Sequence, residues 1–505
     1  MQKQIFTKMS FGKIISFFRQ IVSFLKNPED MHKLILKLAE ESEEEFVPIL
    51  LNPFDPMLLV KDASILHLIL KDVEFQNRSS FPIIDYIYFQ FIKNLNSLEN
   101  KNPKIHTNMG GITFTNGEEW KRNRKIGLTV MNDPIFLEKS IEPILNSIDA
   151  MLLNLKEKKT QFAISDELSL LGIDVVGKLV FNIDLELFSK EKRNKNQIDS
   201  YFLTSSVRVM LDAIQKYIYY PFPAFLFSFF KTKDIRNLDR AVSNLALAGN
   251  TLLSKVKEDL QLGNSRSESS IAGILLQKYP DLEDTEIQTL LMDLLGAGHD
   301  TTANLVIFTL SSILESNVLE TSKELQKEIA SIVEILPSFQ KANENIDSKL
   351  ILEKIEKNTP ILSSILNESL RLFPLGAVFS RITFSKKEIH FNIKDKEYIL
   401  KPKSKLLVSP YVTGRLKKDW GRSANEFDPF RFLDKEKGNA FIPFGSGKRS
   451  CIGARFGILE AKLILFRLFQ IYKIEKGESF QKTDSILAFT LRAKNPIWVL
   501  AKANT

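Results

Sequence analysis

The chain has 505 residues, of which 44% are apolar and 26% are charged, and its formal net charge is +8. This composition is that of a globular protein and excludes a disordered or fibrous chain. The single cysteine, Cys451, excludes an intrachain disulfide scaffold and zinc sites built from several cysteines. Three interpretations of Cys451 remain open at this point: an unreactive buried thiol, a nucleophile, or one metal–thiolate bond.

The N-terminal segment predicts a basic amphipathic helix over residues 11–25, with apolar side chains on one face and lysine and arginine on the other. Such a helix either lies on an anionic membrane surface or docks on its own domain, and the sequence leaves both open. No stretch has the roughly 20 apolar residues that span a bilayer, and no signal peptide is recognisable. We therefore expect a cytoplasmic protein, soluble or peripherally attached to a membrane, with a leader segment over 1–45 and one domain over 46–505.

Helical periodicity dominates the rest of the chain. It predicts one long helix over Leu282–Asn317 and a second over Leu350–Leu372, which stops before Pro374. Four short segments rich in β-branched and aromatic residues predict strands: Val378–Phe384, Glu388–Ile393, Glu397–Leu400 and Lys405–Val408. Helical spacing returns after Cys451. The sequence thus predicts a mainly α fold with small β-sheets, of the α+β class.

The loop around Cys451 reads Phe-Gly-Ser-Gly-Lys-Arg-Ser-Cys-Ile-Gly, from Phe444 to Gly453. Its glycines allow the backbone to approach a large flat group. We expect Cys451 at the start of a helix, where backbone N–H groups favour a thiolate over a thiol. Arg449 can pair with an anionic group beside the sulfur. These features suit an iron porphyrin with the Cys451 sulfur as axial ligand and Arg449 on a propionate.

This loop resembles the F-x-x-G-x-R-x-C-x-G signature of the cytochrome P450 family. Phe444, Gly447, Arg449, Cys451 and Gly453 occupy its fixed positions. The resemblance implies one large haem domain with Cys451 as the metal ligand, although length alone suggests about three domains. It also implies a haem-thiolate monooxygenase, which inserts one oxygen atom from O2 into a substrate.

A second motif, Glu368-Ser-Leu-Arg371, places an acid and a base on one helix face among apolar neighbours. The E-x-x-R pattern alone is weak, since Glu119 and Arg122 have the same spacing. Its distance from Cys451 resembles that in the family, as does the later segment that contains Arg431. The resemblance implies a structural network of Glu368, Arg371 and Arg431.

A third motif, Ala-Gly-His-Asp-Thr-Thr, begins at Ala297 inside the long helix. Gly296 and Gly298 cost the helix roughly 1 kcal/mol each, and Thr301 can bond back to the carbonyl of Ala297. An ordinary helix kink is the alternative. The resemblance implies that Asp300 and Thr301 deliver protons for cleavage of the O–O bond. Relatives that hydroxylate chain ends often carry a covalently attached haem through a glutamate where Ala297 stands, so Ala297 predicts non-covalent haem b.

A fourth motif, Trp120-Lys-Arg-Asn-Arg124, resembles the family's W-x-x-x-R element. Alone it fits an ordinary surface helix. In the family context, Trp120 and Arg124 contact a haem propionate, because indole offers one N–H donor and arginine a fork of donors. Arg381, which follows the turn after the second predicted helix, matches a further propionate-binding arginine.

The sequence contains no G-x-G-x-x-G dinucleotide motif after a strand. We therefore expect electrons from NAD(P)H to arrive through a separate ferredoxin, flavodoxin or flavoprotein reductase. Lys121, Arg122, Lys125 and Lys448 either dock such an acidic partner or merely solvate the surface. The five histidines are scattered, which argues against a zinc enzyme. No motif or basic tract indicates nucleic-acid binding.

Residues 217–230 are strongly apolar and aromatic. They are expected to form a substrate mouth, to touch a membrane, or to pack in the core. Together with the apolar stretch Leu375–Phe379, they favour a small lipophilic substrate such as a fatty acid or a terpenoid. Two alternative functions stay open: a haem-thiolate peroxygenase or isomerase, and a haem-based binding or sensor protein without turnover.

Overall fold

A computed structural model describes residues 3–4, 27–49, 57–79, 81–98, 111–158, 160–185, 187–188, 200–218, 224–339, 346–383, 385–393, 396–433 and 438–504. At 3–4, 200–204, 391–393 and 396 it describes the backbone only. The amphipathic helix predicted over 11–25 lies outside these residues, and the boundary between 45 and 46 stays a prediction.

The first half of the described chain is mostly helical. Its helices are α1 (Met31–Glu41), α2 (Ala63–Lys71), α3 (Pro82–Leu98), α4 (Gly117–Met131), α5 (Pro134–Leu155), α6 (Ile164–Phe181), α7 (Ser200–Tyr217), α8 (Phe225–Phe229) and α9 (Lys233–Gln261). The later helices are α10 (Ser265–Glu268), α11 (Ile271–Lys278), α12 (Asp284–Ser316), α13 (Val318–Thr321), α14 (Lys323–Val333), α15 (Ser348–Lys357), α16 (Pro360–Leu372), α17 (Pro410–Thr413), α18 (Lys417–Trp420) and α19 (Ala454–Ile471). Three single 3-10 turns occupy Pro28–Asp30, Val73–Phe75 and Gly447–Arg449.

The strands in the described part of the chain form four small sheets. They are β1 (Lys3–Gln4), β2 (Phe46–Ile49), β3 (Met57–Val60), β4 (Phe162–Ala163), β5 (Phe379–Ile382), β6 (Ile389–Ile393), β7 (Lys396–Leu400), β8 (Lys405–Val408), β9 (Tyr472–Lys476), β10 (Ser485–Leu487), β11 (Leu491–Ala493) and β12 (Trp498–Ala503). Their orders are β2-β3-β8-β5, β1-β7-β6, β4-β12-β9 and the hairpin β10-β11. The β3–β8 and β1–β7 pairs are parallel, and the remaining pairs are antiparallel. The predicted α+β class is confirmed.

Helix α12 is the centre of the molecule. It starts at a capping box in which Glu283 and Glu286 satisfy each other's backbone N–H groups, and it packs on α6, α16 and α19. Almost every residue from Thr302 to Leu314 is buried, as expected for a helix surrounded by others. The predicted helix Leu282–Asn317 is confirmed to within two residues at its start and one at its end.

A glycine lets α12 approach its main neighbour closely. A Cβ added to Gly172 of α6 would lie 2.3 Å from the carbonyl oxygen of His299, closer than real Cβ atoms come. A Cβ on Gly298 of α12 would lie 3.2 Å from a methyl carbon of Val176 on α6. Tight α6–α12 packing therefore offsets part of the helix propensity lost at Gly298.

One predicted helix is wrong. The segment Leu350–Leu372 forms two helices, α15 and α16, separated by Asn358 and Thr359. Pro360 is the cause, because it lacks an N–H group and stands at the first turn of α16, where none is needed. Thr359 closes the end of α15 by donating from Oγ1 to the Ile355 carbonyl over 2.6 Å.

The strand predictions are confirmed in their placement. Strand β8 has the predicted bounds Lys405–Val408, and β5 falls inside the predicted Val378–Phe384, of which Phe384 is not described. Strands β6 and β7 differ from their predictions by one residue each at the start. In the described part of the chain, none of the helices combines the length and apolar character needed to cross a bilayer.

Candidate haem-thiolate site

The loop before α19 presents Cys451 on a rigid turn. The Cys451 N–H donates to the Phe444 carbonyl over 2.8 Å, directly after the 3-10 turn Gly447–Arg449. Gly447 has a φ of +68°, and a Cβ there would lie 2.0 Å from the Leu70 carbonyl oxygen. The glycine is thus required where the loop meets the end of α2, and contact with a flat group is not needed to explain it.

The sequence predicts that Cys451 lies at the start of a helix. In the structure Cys451 precedes α19 by three residues, and Gly453 is the N-cap. Its side chain remains exposed, yet enough protein surrounds the sulfur that burial raises its pKa. The Gly453 N–H and the charges of Arg124 and Arg78 act in the opposite direction. The predicted helix-terminus stabilisation of a thiolate is therefore outweighed in this structure.

Helix α4 is packed against the cysteine loop. A Cβ on Gly127 would lie 3.1 Å from the Ile452 side chain, and Gly453 faces Met131. This packing places the two residues predicted from the W-x-x-x-R element beside the loop. Arg124 reaches the Ser450 hydroxyl over 3.4 Å, and Trp120 is 2% exposed.

Arg449 points away from solvent and is held by backbone carbonyls. Its guanidinium donates to Gln76 over 2.8 Å and to Thr115 over 2.6 Å, and to the Asn116 side chain over 2.9 Å. Burial lowers the pKa of Arg449 to about 8, with Arg78 and Arg124 adding to the effect. The arginine is therefore fixed in place by neutral acceptors that do not neutralise its charge.

Four guanidinium groups converge here: Arg78, Arg124, Arg381 and Arg449. Burial and the charges of Arg78 and Arg449 hold the pKa of Arg381 well below its usual range. Within the described ranges, none of the four forms a salt bridge with a carboxylate. Such a cluster is costly unless anionic groups come between its members.

Buried N–H groups that can donate hydrogen bonds to such anions are also present. The Trp120 Nε1 and the Arg78 Nε are buried, and neither has a hydrogen-bond partner among the residues that the structure describes. Two propionates are the kind of partner that would satisfy these donors and the cluster charge. The residues present therefore fit a haem group bound beside Cys451. Sequence reasoning missed Arg78, which stands in no recognisable pattern.

On α12, the predicted acid and alcohol lie within an unbroken helical stretch. The Thr301 hydroxyl donates to the Ala297 carbonyl over 2.7 Å, as the sequence predicts. Ala297 is exposed, Asp300 and Thr301 are partly exposed, and the helix is buried from Thr302 onward. Asp300 accepts hydrogen bonds at Oδ2 from the Thr490 hydroxyl and from the Arg492 Nε, the latter over 3.1 Å. The sequence gives no sign of this contact across 190 residues.

The structure brings Glu368, Arg371 and Arg431 together in the core. Arg371 donates to both Glu368 carboxylate oxygens over 2.7 Å, and Arg431 donates to one of them over 3.0 Å. The Glu368 and Arg371 side chains are fully buried. Arg371 also donates to the carbonyls of Gly414 and Glu426, so it ties α16 to the segment that follows α17.

Residues 217–230 divide into buried and exposed members, and 219–223 are not described. Tyr217 and Phe227 are buried with their rings 5.5 Å apart. Phe225, Phe229 and Phe230 are 67%, 78% and 61% exposed. The aromatic segment is therefore partly core and partly an apolar surface patch, which we call the 225–230 patch.

Two of the four basic residues that were predicted to dock a redox partner form salt bridges within the protein. Lys121 pairs with Glu118, and Arg122 pairs with Glu286, each over 2.6 Å. Lys125 and Lys448 are exposed.

A family model described as Cytochrome P450 matches residues 85–500. The chain is similar to cytochrome P450 3A16 of Mus musculus, with 27% identity over 393 residues that cover 73% of this chain and 71% of the relative. A cytokinin hydroxylase of Arabidopsis thaliana is 23% identical over 78% of this chain and 72% of its own. A bifunctional cytochrome P450/NADPH–P450 reductase of Bacillus cereus is 26% identical over 63% of this chain and 27% of that longer protein.

Proposed function

Because the chain belongs to the cytochrome P450 family and is a haem-thiolate monooxygenase, we propose that it oxidises a small lipophilic substrate with electrons from a separate redox protein. Haem iron bound by a thiolate supplies the chemistry, in which O2, two electrons and two protons convert R–H to R–OH and water. The observation that carries the site assignment is the exposed Cys451 beside four guanidinium groups, none of which forms a salt bridge with a described carboxylate.

We assign the iron ligand to Cys451 and the propionate contacts to Trp120, Arg124, Arg381 and Arg449. Arg449 is prepositioned by its backbone acceptors. Arg78, absent from the sequence-based set, joins them, because its Nε is buried without a partner. Phe444 and Gly453 hold the ligand loop, the former through the 2.8 Å bond to the Cys451 N–H. Ala297 carries no group that could attach haem covalently, which supports non-covalent haem b.

We assign proton delivery to Asp300 and Thr301. The Thr301 hydroxyl bonds to the Ala297 carbonyl, and a side chain that bonds back to a helix carbonyl in this way weakens and bends a helix locally. The Asp300 carboxylate lies one residue earlier on α12 and can pass protons in from the surface. Glu368, Arg371 and Arg431 have a structural role, since Glu368 and Arg371 are buried and Glu368 accepts hydrogen bonds from both arginines.

The electron donor is proposed to be an acidic ferredoxin, flavodoxin or flavoprotein that draws on NAD(P)H. Lys125 and Lys448 support this, because they are exposed near the cysteine side of the site and can attract an acidic surface. The Bacillus cereus relative is named as a P450 joined to an NADPH–P450 reductase, which favours a flavoprotein among the three classes.

The substrate is proposed to be small and lipophilic. The 225–230 patch exposes three phenylalanines next to helices α7 and α9. A contiguous apolar patch of this kind suits the entry of an apolar molecule or contact with a membrane surface.

The test is product formation under ¹⁸O2. Haem-loaded protein, a surrogate ferredoxin and its reductase, and NADPH are incubated with a panel of fatty acids and terpenoids that shift the haem spin state. One ¹⁸O atom per product molecule is expected. Product formed with hydrogen peroxide but never with O2 and reductant would show a peroxygenase, and rearranged product without ¹⁸O an isomerase. Reducible haem with no product from any compound that shifts the spin state would favour a sensor.

A further inference from the structure

The Asp293 carboxylate on α12 holds the loop 111–116, which leads into α4. Its Oδ2 accepts hydrogen bonds from the backbone N–H groups of Ile112 and Thr113, over 2.5 and 2.7 Å. Its Oδ1 accepts a hydrogen bond from the hydroxyl of Tyr88 on α3. Three donors around one carboxylate fix its orientation. The loop is therefore tied to the central helix by a charged side chain.

Gly111, at the start of this loop, allows the close approach to α12. A Cβ on Gly111 would collide with the Asp293 carboxylate unless that side chain moved. The Gly111 carbonyl accepts from the Thr115 hydroxyl over 2.6 Å and from the Asn123 side chain of α4 over 3.0 Å. The loop is thus closed on itself and anchored to α4 as well as to α12.

The carbonyls of the same loop bond to two members of the guanidinium cluster. Arg78 donates to the Thr113 carbonyl over 2.8 Å. Arg449 donates to the Thr115 carbonyl over 2.6 Å and to the Ile112 carbonyl over 3.4 Å. At both Ile112 and Thr113, the N–H therefore bonds to the α12 carboxylate and the carbonyl bonds to a guanidinium. Because hydrogen bonds in such chains polarise one another, the negative charge at one end stabilises the positive charge at the other.

Among the described residues, Asp293 acts on the cluster without a salt bridge to any of its four arginines. Burial lowers the pKa of Arg78, and the charge of Asp293 acts in the opposite direction. A carboxylate in direct contact with the guanidinium groups would compete with propionates for their N–H donors. Because Asp293 acts across neutral backbone groups, it reduces the cost of the buried cluster and leaves those donors for an anion.

We infer that Asp293 is a positioning residue for the cofactor, which holds Arg78 and Arg449 in the orientation that receives the haem propionates. This inference rests on the proposed haem site. The contacts of Asp293 are to the loop and to Tyr88, so it acts on the propionates through the backbone of loop 111–116. Without its charge, the two guanidinium groups lose both a fixed support and a counter-charge. Haem should then leave faster, and the effect should depend on the propionate charges.

The test compares two forms of the cofactor. The protein is loaded either with haem or with haem dimethyl ester, in which both propionates are uncharged, and transfer of each to apomyoglobin gives its rate of loss. We expect Asp293→Asn to lose haem about tenfold faster than wild type, as is typical when a group that orients ligand-binding side chains is replaced. Loss of the dimethyl ester should keep its wild-type rate. A merely structural role would speed the loss of both cofactors.

Two further variants define the effect. Tyr88→Phe removes one of the three donors to Asp293 and should speed haem loss less, which tests the inference if Asp293→Asn fails to fold. Glu328→Gln is the matched control, because the Glu328 carboxylate on α14 also accepts two consecutive backbone N–H groups, those of Ile361 and Leu362, over 2.8 and 2.9 Å. It should lower the free energy of unfolding in urea without changing the ratio of the two rates. Each variant must retain the thiolate spectrum of its reduced carbon monoxide complex.

The two cofactors separate failure of the inference from failure of the proposed site. Faster loss of haem alone from Asp293→Asn would support the inference. Equal acceleration for haem and its ester, or wild-type rates for both, would overturn it and leave the monooxygenase assignment intact. If haem and its ester left the wild-type protein at the same rate, the proposed propionate contacts would be wrong, and the inference with them.

Discussion

The guanidinium carbon of Arg449 lies 3.9 Å from the centroid of the Trp120 ring. The two side chains come from the cysteine loop and from α4, and their stacking fixes both before any anion is bound. The Nε1 of this ring is buried and has no hydrogen-bond partner in the described part of the chain. An arginine and an indole N–H are thus held ready for the same negatively charged group.

Replacing Trp120 with phenylalanine keeps the ring under Arg449 and removes only the N–H. A hydrogen bond to a charged group is worth about 1.5–3 kcal/mol. We therefore expect haem to leave the Trp120→Phe variant about ten to a hundred times faster, measured by transfer to apomyoglobin, with little loss of apoprotein stability. Trp420→Phe is the matched control, because Trp420 also lies under an arginine but donates to the Thr413 carbonyl. The Trp420→Phe variant should lose stability more than haem affinity. Equally fast haem loss from both variants would contradict the assignment of Trp120 as a propionate contact.

Glu368→Gln should destabilise the protein strongly. The substitution keeps the side-chain volume but leaves Arg371 as an uncompensated charge in the core, which costs about 3–5 kcal/mol. Urea unfolding of the haem-loaded protein measures the change. Glu356→Gln removes a carboxylate from an equally bidentate but partly exposed pair with Arg455 and should cost under about 1 kcal/mol. A cost for Glu368→Gln no greater than that of the control would show that the buried network does not stabilise the fold.

His32 should make the protein sensitive to acid. Burial, with Lys33 and Arg415 nearby, lowers the pKa of His32 to about 4. The unfolded chain binds this proton near pH 6.5 and the folded chain only near pH 4, so the stabilisation is complete above pH 6.5 and falls as pH drops toward 4. The loss reaches about 3 kcal/mol. Urea unfolding between pH 7 and 4 should show a shallower fall in the free energy of unfolding for His32→Gln than for wild type. Parallel curves for wild type and His32→Gln would refute this.

Thr301→Ala should separate electron use from product formation. The variant loses the hydroxyl that bonds to Ala297, so more peroxide is released, and the fraction of electrons recovered as product falls about tenfold or more. Thr301→Ser should restore most of the coupling. Thr289→Ala removes the same kind of bond, to the Thr285 carbonyl, earlier on α12 and serves as control. Unchanged coupling in Thr301→Ala would remove the role proposed for this hydroxyl.

The sequence predicts local structure well where local patterns determine it. The bounds of β8 follow from local residue composition, and most of α12 follows from helical spacing. The break at Pro360 is also a local signal, one that the apolar spacing of Leu350–Leu372 obscures. The signature around Cys451 is compact enough to identify the family from a single loop.

Contacts between distant segments are what the sequence does not reveal. Arg78 joins the guanidinium cluster, and Arg492 reaches Asp300, only because the fold brings together residues that are far apart in the chain. The same holds for the thiol of Cys451, since the burial that raises its pKa depends on tertiary packing around the loop. The helix-terminus effect is local and visible in sequence, whereas desolvation is not.

The most direct test of the whole account is the absorption spectrum of the haem-loaded protein, reduced under carbon monoxide. If the Cys451 thiolate binds iron, the Soret band is strongly red-shifted, and Cys451→Ala loses that shift. A spectrum typical of histidine ligation in the wild-type protein, or an unchanged band in Cys451→Ala, would contradict the account.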